Sequence, residues 1–225
     1  MFAREELSRM SGRKQFDVET AVDQAMRVFW QRGYAESSLE LLSAATGLGR
    51  GSLYGTFGSK DELFRRALER YSAIYSARFD AALAGARTDP VAAIGAMLDV
   101  VLDRIADPDV PDGCLVAQSA IESPLLASDS ATYVRDLLGK QYARVRSALN
   151  VTHSDPTLLD ELATFVVAVT QSLAVLSRGG SSMGQLRSTA RLACETIDQQ
   201  LTQAGFAAGS RSHQRRDARR RLPDS

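Results

Sequence analysis

Apolar residues recur at intervals of three and four along almost the whole chain, and no stretch alternates apolar and polar residues for long. This spacing is typical of amphipathic helices and argues against strands. The pattern therefore predicts an all-α fold, in which the boundaries of individual helices follow from their capping residues.

The first two helices have clear start and stop signals. Asp17 can cap a first helix that Gly33 ends, and Ser37 with Ser38 can start a second helix that Gly47 ends. The apolar face of the first helix consists of Ala21, Ala25, Val28 and Phe29. We therefore expect two helices joined by a tight connection.

A short third helix and a long fourth helix follow. The third is predicted from about Arg50 to Thr56, and a capping box of Ser59 and Glu62 is predicted to start the fourth. The apolar face of the fourth helix contains Leu63, Ala67, Leu68, Tyr71, Ile74 and Tyr75.

The rest of the chain predicts further long helices. Pro90 opens one, another begins near Cys114, and two more are expected over residues 157–177 and 183–203. The stretch FVVAVTQSLAVL is apolar nearly all round, so it needs cover on more than one side. We expect the last two helices to pair with their copies in a homodimer. The predicted interface residues are Phe165, Val169, Leu173, Leu176, Leu186, Ala190, Ile197 and Leu201.

The stretch LLSAATGLGRGSLYGTFGSKDELF, residues 41–64, predicts two short helices around a sharp turn. Gly47 can take the left-handed conformation at the turn, and Leu48 can fill the corner between the helices. Leu53 and Phe57 point back to the core. This arrangement is a helix-turn-helix, whose second helix enters the DNA major groove while the first crosses the backbone.

The outward side chains of this unit are suited to double-stranded DNA. Arginine can read guanine or grip phosphate, hydroxyls bind phosphate oxygens, and lysine beside free helix N–H groups can hold a phosphate. The small residues between them let the helix backbone approach the groove. The predicted DNA-binding residues are Ser37, Ser38, Arg50, Ser52, Tyr54, Thr56 and Lys60.

The stretch SSLELLSAATGLGRGSLYGTFGSKDELFRRAL, preceded by a helix ending FWQRGY, resembles the DNA-binding domain of the TetR/AcrR family of transcriptional repressors. The stretches GCLVAQSAIE and TQSLAVLSRGG resemble the ComR-like branch of that family. Family members usually begin the recognition helix with Ser or Thr, whereas Gly49 stands here. Glycine caps a helix almost as well as Ser or Thr, but the contact that a Ser or Thr hydroxyl would make with phosphate is missing.

The resemblance implies a four-part organisation and a function. We expect an N-terminal extension (1–16), a helix-turn-helix DNA-binding domain (17–62), a larger helical effector-binding and dimerisation domain (63–205) and a basic, disordered tail (206–225). The implied function is that of a repressor, not an enzyme, which binds a palindromic operator as a homodimer and is released by an unknown small-molecule effector. No cofactor or metal is expected. The predicted effector-binding residues are Phe79, Met97, Val101, Cys114, Gln118, Tyr142 and Gln171. The alternative is a helical protein that binds a small molecule without a DNA function.

Charge and cysteine content restrict the way in which the protein can bind DNA and the compartment in which it works. The 225 residues have a formal net charge of zero, divided as +1 over residues 1–70, −5 over 71–204 and +4 over 205–225. DNA binding must therefore rest on geometry rather than on bulk charge. Two cysteines without a disulfide framework suit a reducing compartment. The charged N-terminus does not resemble a signal peptide, and no run of about 18 apolar residues is present, so we expect a cytoplasmic protein with no membrane partner.

One further motif and one cysteine bear on function. GGSSMG matches G-x-S-x-G at Gly180, Ser182 and Gly184, but a hydrolase elbow needs a preceding strand, so we interpret it as a helix–helix loop. Cys114 opens a helix, where a thiol could sense electrophiles or a soft metal such as Cu(I). A single buried cysteine is more often a small apolar packing residue, and no second soft ligand lies near Cys114 in the sequence.

Overall fold

The computed structural model describes the backbone of residues 2–86, 88–150 and 155–220, and the side chains of 18–86, 88–150 and 155–204. Within these ranges the chain is helical and contains no strand, which confirms the predicted all-α fold. The α-helices are α1 (Phe2–Glu36), α2 (Leu39–Thr46), α3 (Arg50–Phe57), α4 (Lys60–Ala84), α5 (Pro90–Ala106), α6 (Leu115–Ile121), α7 (Ser128–Leu149), α8 (Pro156–Arg178) and α9 (Met183–Arg220). A short 3-10 turn, Ser123–Leu125, joins α6 to α7.

The first helix differs from its prediction at one end and agrees at the other. It begins at Phe2 instead of near Asp17. The residues before Asp17 include good helix formers such as Ala, Glu, Leu and Met and no proline, so the helix extends through them. At the other end its regular geometry breaks at Gly33, where φ is 81°, as the glycine predicted. The side chains of the predicted N-terminal extension lie outside the described residues.

The N-terminal helices share one aromatic and aliphatic core. Phe29 and Phe64 are fully buried and meet edge to face at 5.0 Å. Leu42 from α2 and Leu53 and Phe57 from α3 are buried against the same core. These contacts hold the two short helices on α1 and α4, because helices of eight residues are not stable alone.

Helix α4 continues from this module into the rest of the molecule. Its 25 residues run unbroken across the predicted boundary between residues 62 and 63. Beyond that boundary Tyr71, Tyr75 and Phe79 are buried where α4 packs on α5, α6 and α7. The two parts of the chain are thus joined by a continuous helix.

Helix α8 buries one face and exposes another. Nine of its side chains are buried, at intervals of three and four from Leu159 to Ser177, against α5, α7 and α9. Among the described helices it alone is long and apolar enough to cross a membrane by length and composition, with a mean hydropathy of 1.5. Its packing accounts for this apolar character, as for the core helix of a globular domain.

The predicted interface residues fall on both faces of α8 and α9. Phe165 and Leu176 are exposed and Leu201 is half-buried, but five others lie in the core of the chain itself: Val169, Leu173, Leu186, Ala190 and Ile197. The most apolar stripe of each helix packs inward, so these five side chains have little surface left to offer a partner. The exposed apolar residues include Val175 and Leu192, which the prediction missed.

Helix α9 also departs from the prediction at its end. It extends through Arg220, so the backbone of most of the tail expected to be disordered is helical. Alanine, glutamine and arginine favour helix, and no proline occurs in the tail before Pro223. The side chains of 205–220, and residues 221–225 entirely, lie outside the described residues.

Candidate nucleic-acid interface and ligand cavity

The start and end of each short helix follow from local caps. Ser38 accepts a hydrogen bond from the N–H of Leu41, and Gly47 ends α2 in the left-handed conformation with φ 66°. Gly49 caps α3 without any side-chain hydrogen bond. These caps set the turn between the helices, as the sequence predicted.

The cap of α4 is simpler than the predicted capping box. The hydroxyl of Ser59 accepts from the N–H of Glu62 at 3.1 Å, but the carboxylate of Glu62 does not return to Ser59. It pairs with Arg65 at 2.6 Å instead. Only one half of the reciprocal box is formed.

The outer face of α3 is open and polar. Arg50, Ser52 and Tyr54 are exposed, and Thr56 is half-buried. A methyl group added at Gly51 or Gly55 would meet no atom of the protein, so neither glycine is required by internal packing. The structure leaves this helix free to approach another molecule closely.

The arginine at the start of α3 has a partner that the sequence reasoning missed. Its guanidinium forms an ion pair with Glu40 in the first turn of α2, and both side chains are more than half exposed. The ten-residue separation crosses the turn, so only the folded helix-turn-helix brings them together. In the free protein, the guanidinium that we expect to contact DNA is therefore engaged in an ion pair.

Lys60 lies at the start of α4 on the face of Tyr34. Its Nζ is 4.3 Å from the ring centroid. Burial lowers the pKa of Lys60, while the charges of Asp61 and Glu122 oppose that shift. Burial, followed by the hydrogen bond and charge of Asp61, raises the pKa of Tyr34 to about 12. The lysine is therefore held at one place beside the helix N-terminus.

One predicted DNA-binding residue is not on the surface. Ser37 is fully buried, and its hydroxyl donates to the carbonyl of Gly33. The break of α1 at Gly33 turns this carbonyl toward the serine, which sequence spacing alone does not show. Ser38 next to it is exposed and keeps the predicted place at the N-terminus of α2.

Comparison with known proteins agrees with this geometry. The family model for bacterial regulatory proteins of the tetR family matches residues 21–67, which span the helix-turn-helix and its supporting helices. A solved structure of a cysteine mutant of the regulator CifR with 26-base-pair operator DNA is 30% identical, with a TM-score of 0.68, and covers 78% of this chain and 94% of that chain. This chain belongs to the TetR family.

Two relatives from Escherichia coli K12 are described as HTH-type transcriptional repressors. ComR is 28% identical over 77% of this chain and 85% of its own length. BdcR is 27% identical over 84% of this chain and 94% of its own length. The chain is thus a TetR-family DNA-binding transcriptional regulator, and the resemblance to the ComR-like branch is confirmed.

In the larger part of this TetR-family chain, a cavity lies between α4, α5, α6, α7 and α8. The space that the centre of a water molecule can occupy in it is ≈ 60 Å³. Its wall is formed by Tyr71, Ser72, Tyr75, Ser76, Phe79, Arg104, Cys114, Val116, Leu137, Lys140, Gln141, Arg144 and Thr170. Burial raises the pKa of Tyr71 and of Tyr75, so both phenols stay neutral hydrogen-bonding groups.

The cavity contains only two of the seven predicted effector-binding residues, Phe79 and Cys114. The other five are engaged elsewhere. Met97 and Val101 are fully buried core residues on α5. Tyr142 donates to Asp160, Gln118 accepts from Arg178, and Gln171 bonds Gln141.

Cys114 caps the N-terminus of α6 and is half-buried. Its Sγ accepts a hydrogen bond from the hydroxyl of Tyr71 at 3.3 Å. Among the described residues no group of three His, Cys, Asp or Glu side chains could hold a metal ion. The cysteine faces the cavity, which a purely apolar packing role would not require.

Helix α6 also connects the cavity to the DNA-binding module. At its N-terminus lies Cys114, and just past its C-terminus Glu122 accepts hydrogen bonds from the N–H groups of Tyr34 and Ala35 at 2.7 and 3.1 Å. A methyl group at Gly33 would come within 2.6 Å of this carboxylate. The glycine therefore permits the close approach.

Arg178 at the end of α8 forms a second connection. Its guanidinium donates to the carbonyl of Trp30 at 2.5 Å, to the carbonyl of Asp112 at 3.1 Å and to Gln118 at 2.9 Å. The side chain thereby ties α1 to the loop before Cys114 and to the middle of α6.

The motif GGSSMG is a loop and a helix cap. Gly180 and Ser182 lie between α8 and α9, as interpreted from the sequence. The hydroxyl of Ser182 accepts from the N–H of Gln185 and lies 3.0 Å from its side-chain oxygen. No strand precedes it in the described chain, so the geometry of a hydrolase elbow is not formed.

Proposed function

We propose that this TetR-family regulator is a cytoplasmic repressor that binds a roughly palindromic operator as a homodimer and leaves it when a small effector binds. The observation that carries the proposal is the outer face of α3, where Arg50, Ser52 and Tyr54 project from a helix that is thinned by two glycines. A recognition helix needs such a face to lie in the major groove.

Further support for a DNA contact comes from the helix N-termini beside α3. Ser38 at the start of α2 and Lys60 at the start of α4 stand next to unpaired backbone N–H groups, which attract phosphate. The similar CifR protein was solved with its operator, and the ComR and BdcR relatives are repressors.

Support for a homodimer comes from the outward faces of the last two helices. Phe165, Val175 and Leu176 are between 37% and 55% exposed on α8, and Leu192 is 51% exposed on α9. Residues 165, 168, 172 and 175 follow helical spacing and are all exposed. An outward apolar face on α8 beside an exposed leucine on α9 suits a two-fold four-helix interface.

The proposed contacts are tested by titrating labelled duplexes with purified protein at fixed salt. The specific duplex is one selected from genomic fragments, and the second has random sequence. We expect Tyr54→Phe and Lys60→Ala to weaken binding to both duplexes, because phosphate contacts carry no sequence information. Arg50→Ala should weaken binding and also relax sequence preference, at a cost of about 1–3 kcal/mol on the specific duplex.

Arg135→Ala serves as the matched control, since Arg135 is exposed on α7 and its side chain donates a hydrogen bond to Thr132 on the same helix. Unchanged affinity of all three test variants would contradict the DNA assignment. A wild-type protein whose duplex binding does not fall with rising salt would instead favour a small-molecule-binding protein without a DNA function.

A further inference from the structure

The wall of the cavity carries positive charge without a matching negative charge. Three cationic residues line it, Arg104, Lys140 and Arg144, and none of its described lining residues is Asp or Glu. Arg144 is paired with Asp80 at 2.8 Å. Arg104 and Lys140 have no carboxylate partner among the described residues.

Arg104 is the most unusual of these groups. Its side chain is 3% exposed, and the hydroxyl of Tyr71 is a hydrogen-bond partner of its guanidinium, but its Nε and Nη2 atoms are buried without a partner. Its guanidinium lies 5.2 Å from the ring centroid of Tyr75, a contact that compensates only part of the lost hydration. A buried charge without an opposite charge beside it is costly, so proteins rarely retain one unless an anion pairs with it.

The two unpartnered nitrogens define the geometry of the missing partner. Nε–H and the adjacent Nη2–H form the side-on edge of the guanidinium, where two parallel hydrogen bonds match the two oxygens of a carboxylate. Burial opposes the charged form of Arg104, but a guanidinium keeps its proton in proteins even when it is buried. The group is therefore a permanent cation.

We propose that the cavity is the effector site of this regulator and that its ligand is a small aliphatic carboxylate whose oxygens pair with Arg104. That the ligand acts as an effector rests on the proposed function, whereas binding of the carboxylate to the cavity does not require DNA. The aliphatic part of the ligand would lie against Phe79, Val116 and Leu137, and Lys140 provides a second positive charge.

The size of the cavity restricts the ligand. The ≈ 60 Å³ open to water centres corresponds to roughly four or five water positions. This is room for an acid of about two to four carbons. Because solvent does not reach Nε or Nη2, the carboxylate must displace part of the wall to pair with them. Cys114 belongs to that wall and caps α6, whose far end holds the DNA-binding module through Glu122.

The first experiment measures binding to the full-length protein without DNA. Sodium propionate is titrated against the wild-type chain by calorimetry and thermal unfolding, with sodium chloride at equal ionic strength and propionamide as the uncharged isostere. Propionate near 100 times its Kd should raise the Tm by roughly 5–10 °C. Propionamide and chloride should have no effect. The absence of a propionate effect, or an equal effect of propionamide, would overturn the proposal.

The second experiment tests the arginine itself. Arg104→Met removes the charge at similar volume and should weaken propionate binding by about 10- to 100-fold. Arg135→Met, on the exposed face of α7, should bind as wild type. Unchanged propionate binding by Arg104→Met would overturn the assignment. If that variant does not fold, Arg104→Lys keeps a cation without the planar edge and should still weaken binding, and the propionamide comparison on the wild type decides the outcome on its own.

A third measurement separates the two proposals. Propionate is added to the protein bound to its selected duplex and to the Arg104→Met variant on the same duplex. Release of the wild type alone supports both proposals. Propionate binding without any duplex binding by the protein would contradict the proposed function and leave the carboxylate site intact. Duplex binding without propionate binding would overturn only the carboxylate site.

Discussion

Glu40 places a negative charge next to the arginine of the recognition helix. In the free protein the two side chains form an exposed ion pair, and exposed pairs contribute only about 0–1 kcal/mol. The free energy needed to separate Arg50 from Glu40 is therefore small. The glutamate restrains the arginine and also repels the phosphates of any duplex.

We predict that Glu40→Gln raises affinity for random duplex about two- to fivefold, the factor that loss of a surface ion pair allows. Fluorescence anisotropy titrations over a range of salt concentrations measure this change. Glu69→Gln is the matched control, since Glu69 pairs with Arg65 on α4. A fall in affinity would mean that Glu40 positions Arg50 for base contact instead of competing with DNA.

Residue-level prediction succeeded where a role depends on close neighbours in sequence. The caps at Ser38, Gly47 and Ser59 follow from local hydrogen bonding, and the structure has all three. Ser37 failed because its partner, the carbonyl of Gly33, points to it only after α1 breaks. Arg104 could not be found, since a charged residue in an apolar helix is ordinarily expected to face solvent.

At the scale of elements, the junction between α1 and α6 depends on a glycine. Gly33 combines a positive φ of 81° with a carboxylate of Glu122 that would lie within 2.6 Å of an added methyl group. Gly51 on α3 has neither restriction. The two glycines therefore form a matched pair for substitution.

We predict that Gly33→Ala lowers the free energy of unfolding by about 1–3 kcal/mol through backbone strain. Gly51→Ala should raise it by about 0.5–1 kcal/mol, because alanine favours the helix. Urea unfolding followed by circular dichroism measures both. Glu122→Gln combined with Gly33→Ala should be non-additive, since the two residues share one contact. Additive effects would show that the contact does not contribute to stability.

At the scale of the whole molecule, the proposed homodimer depends on which faces of α8 and α9 turn outward. The sequence shows that both helices carry apolar residues at helical spacing, but it does not show which apolar face of each helix packs into the chain's own core. The chain's own core takes Leu173 and Ile197, and leaves Phe165 and Val175 outside. Assigning a face requires the positions of α5 and α7, which sequence periodicity does not contain.

We predict that Val175→Arg converts the protein to a monomer, because a charge would then lie within an apolar interface. Light scattering coupled to size-exclusion chromatography gives the mass. Affinity for the operator should fall when the dimer is lost, since each half-site would then be bound separately. Ala143→Arg adds the same charge to the exposed face of α7 and should leave the mass unchanged. A dimeric Val175→Arg protein would place the interface elsewhere.

The unbroken course of α4 gives the molecule a lever arm. Tyr71 in the cavity wall and Lys60 at the start of the helix are separated by eleven residues, or about 17 Å at 1.5 Å per residue. A tilt of about 10° about Tyr71 would swing Lys60 by roughly 3 Å, close to the length of one hydrogen bond. A small tilt at the cavity would thus be enough to break the proposed contact between Lys60 and a phosphate at the far end of the helix.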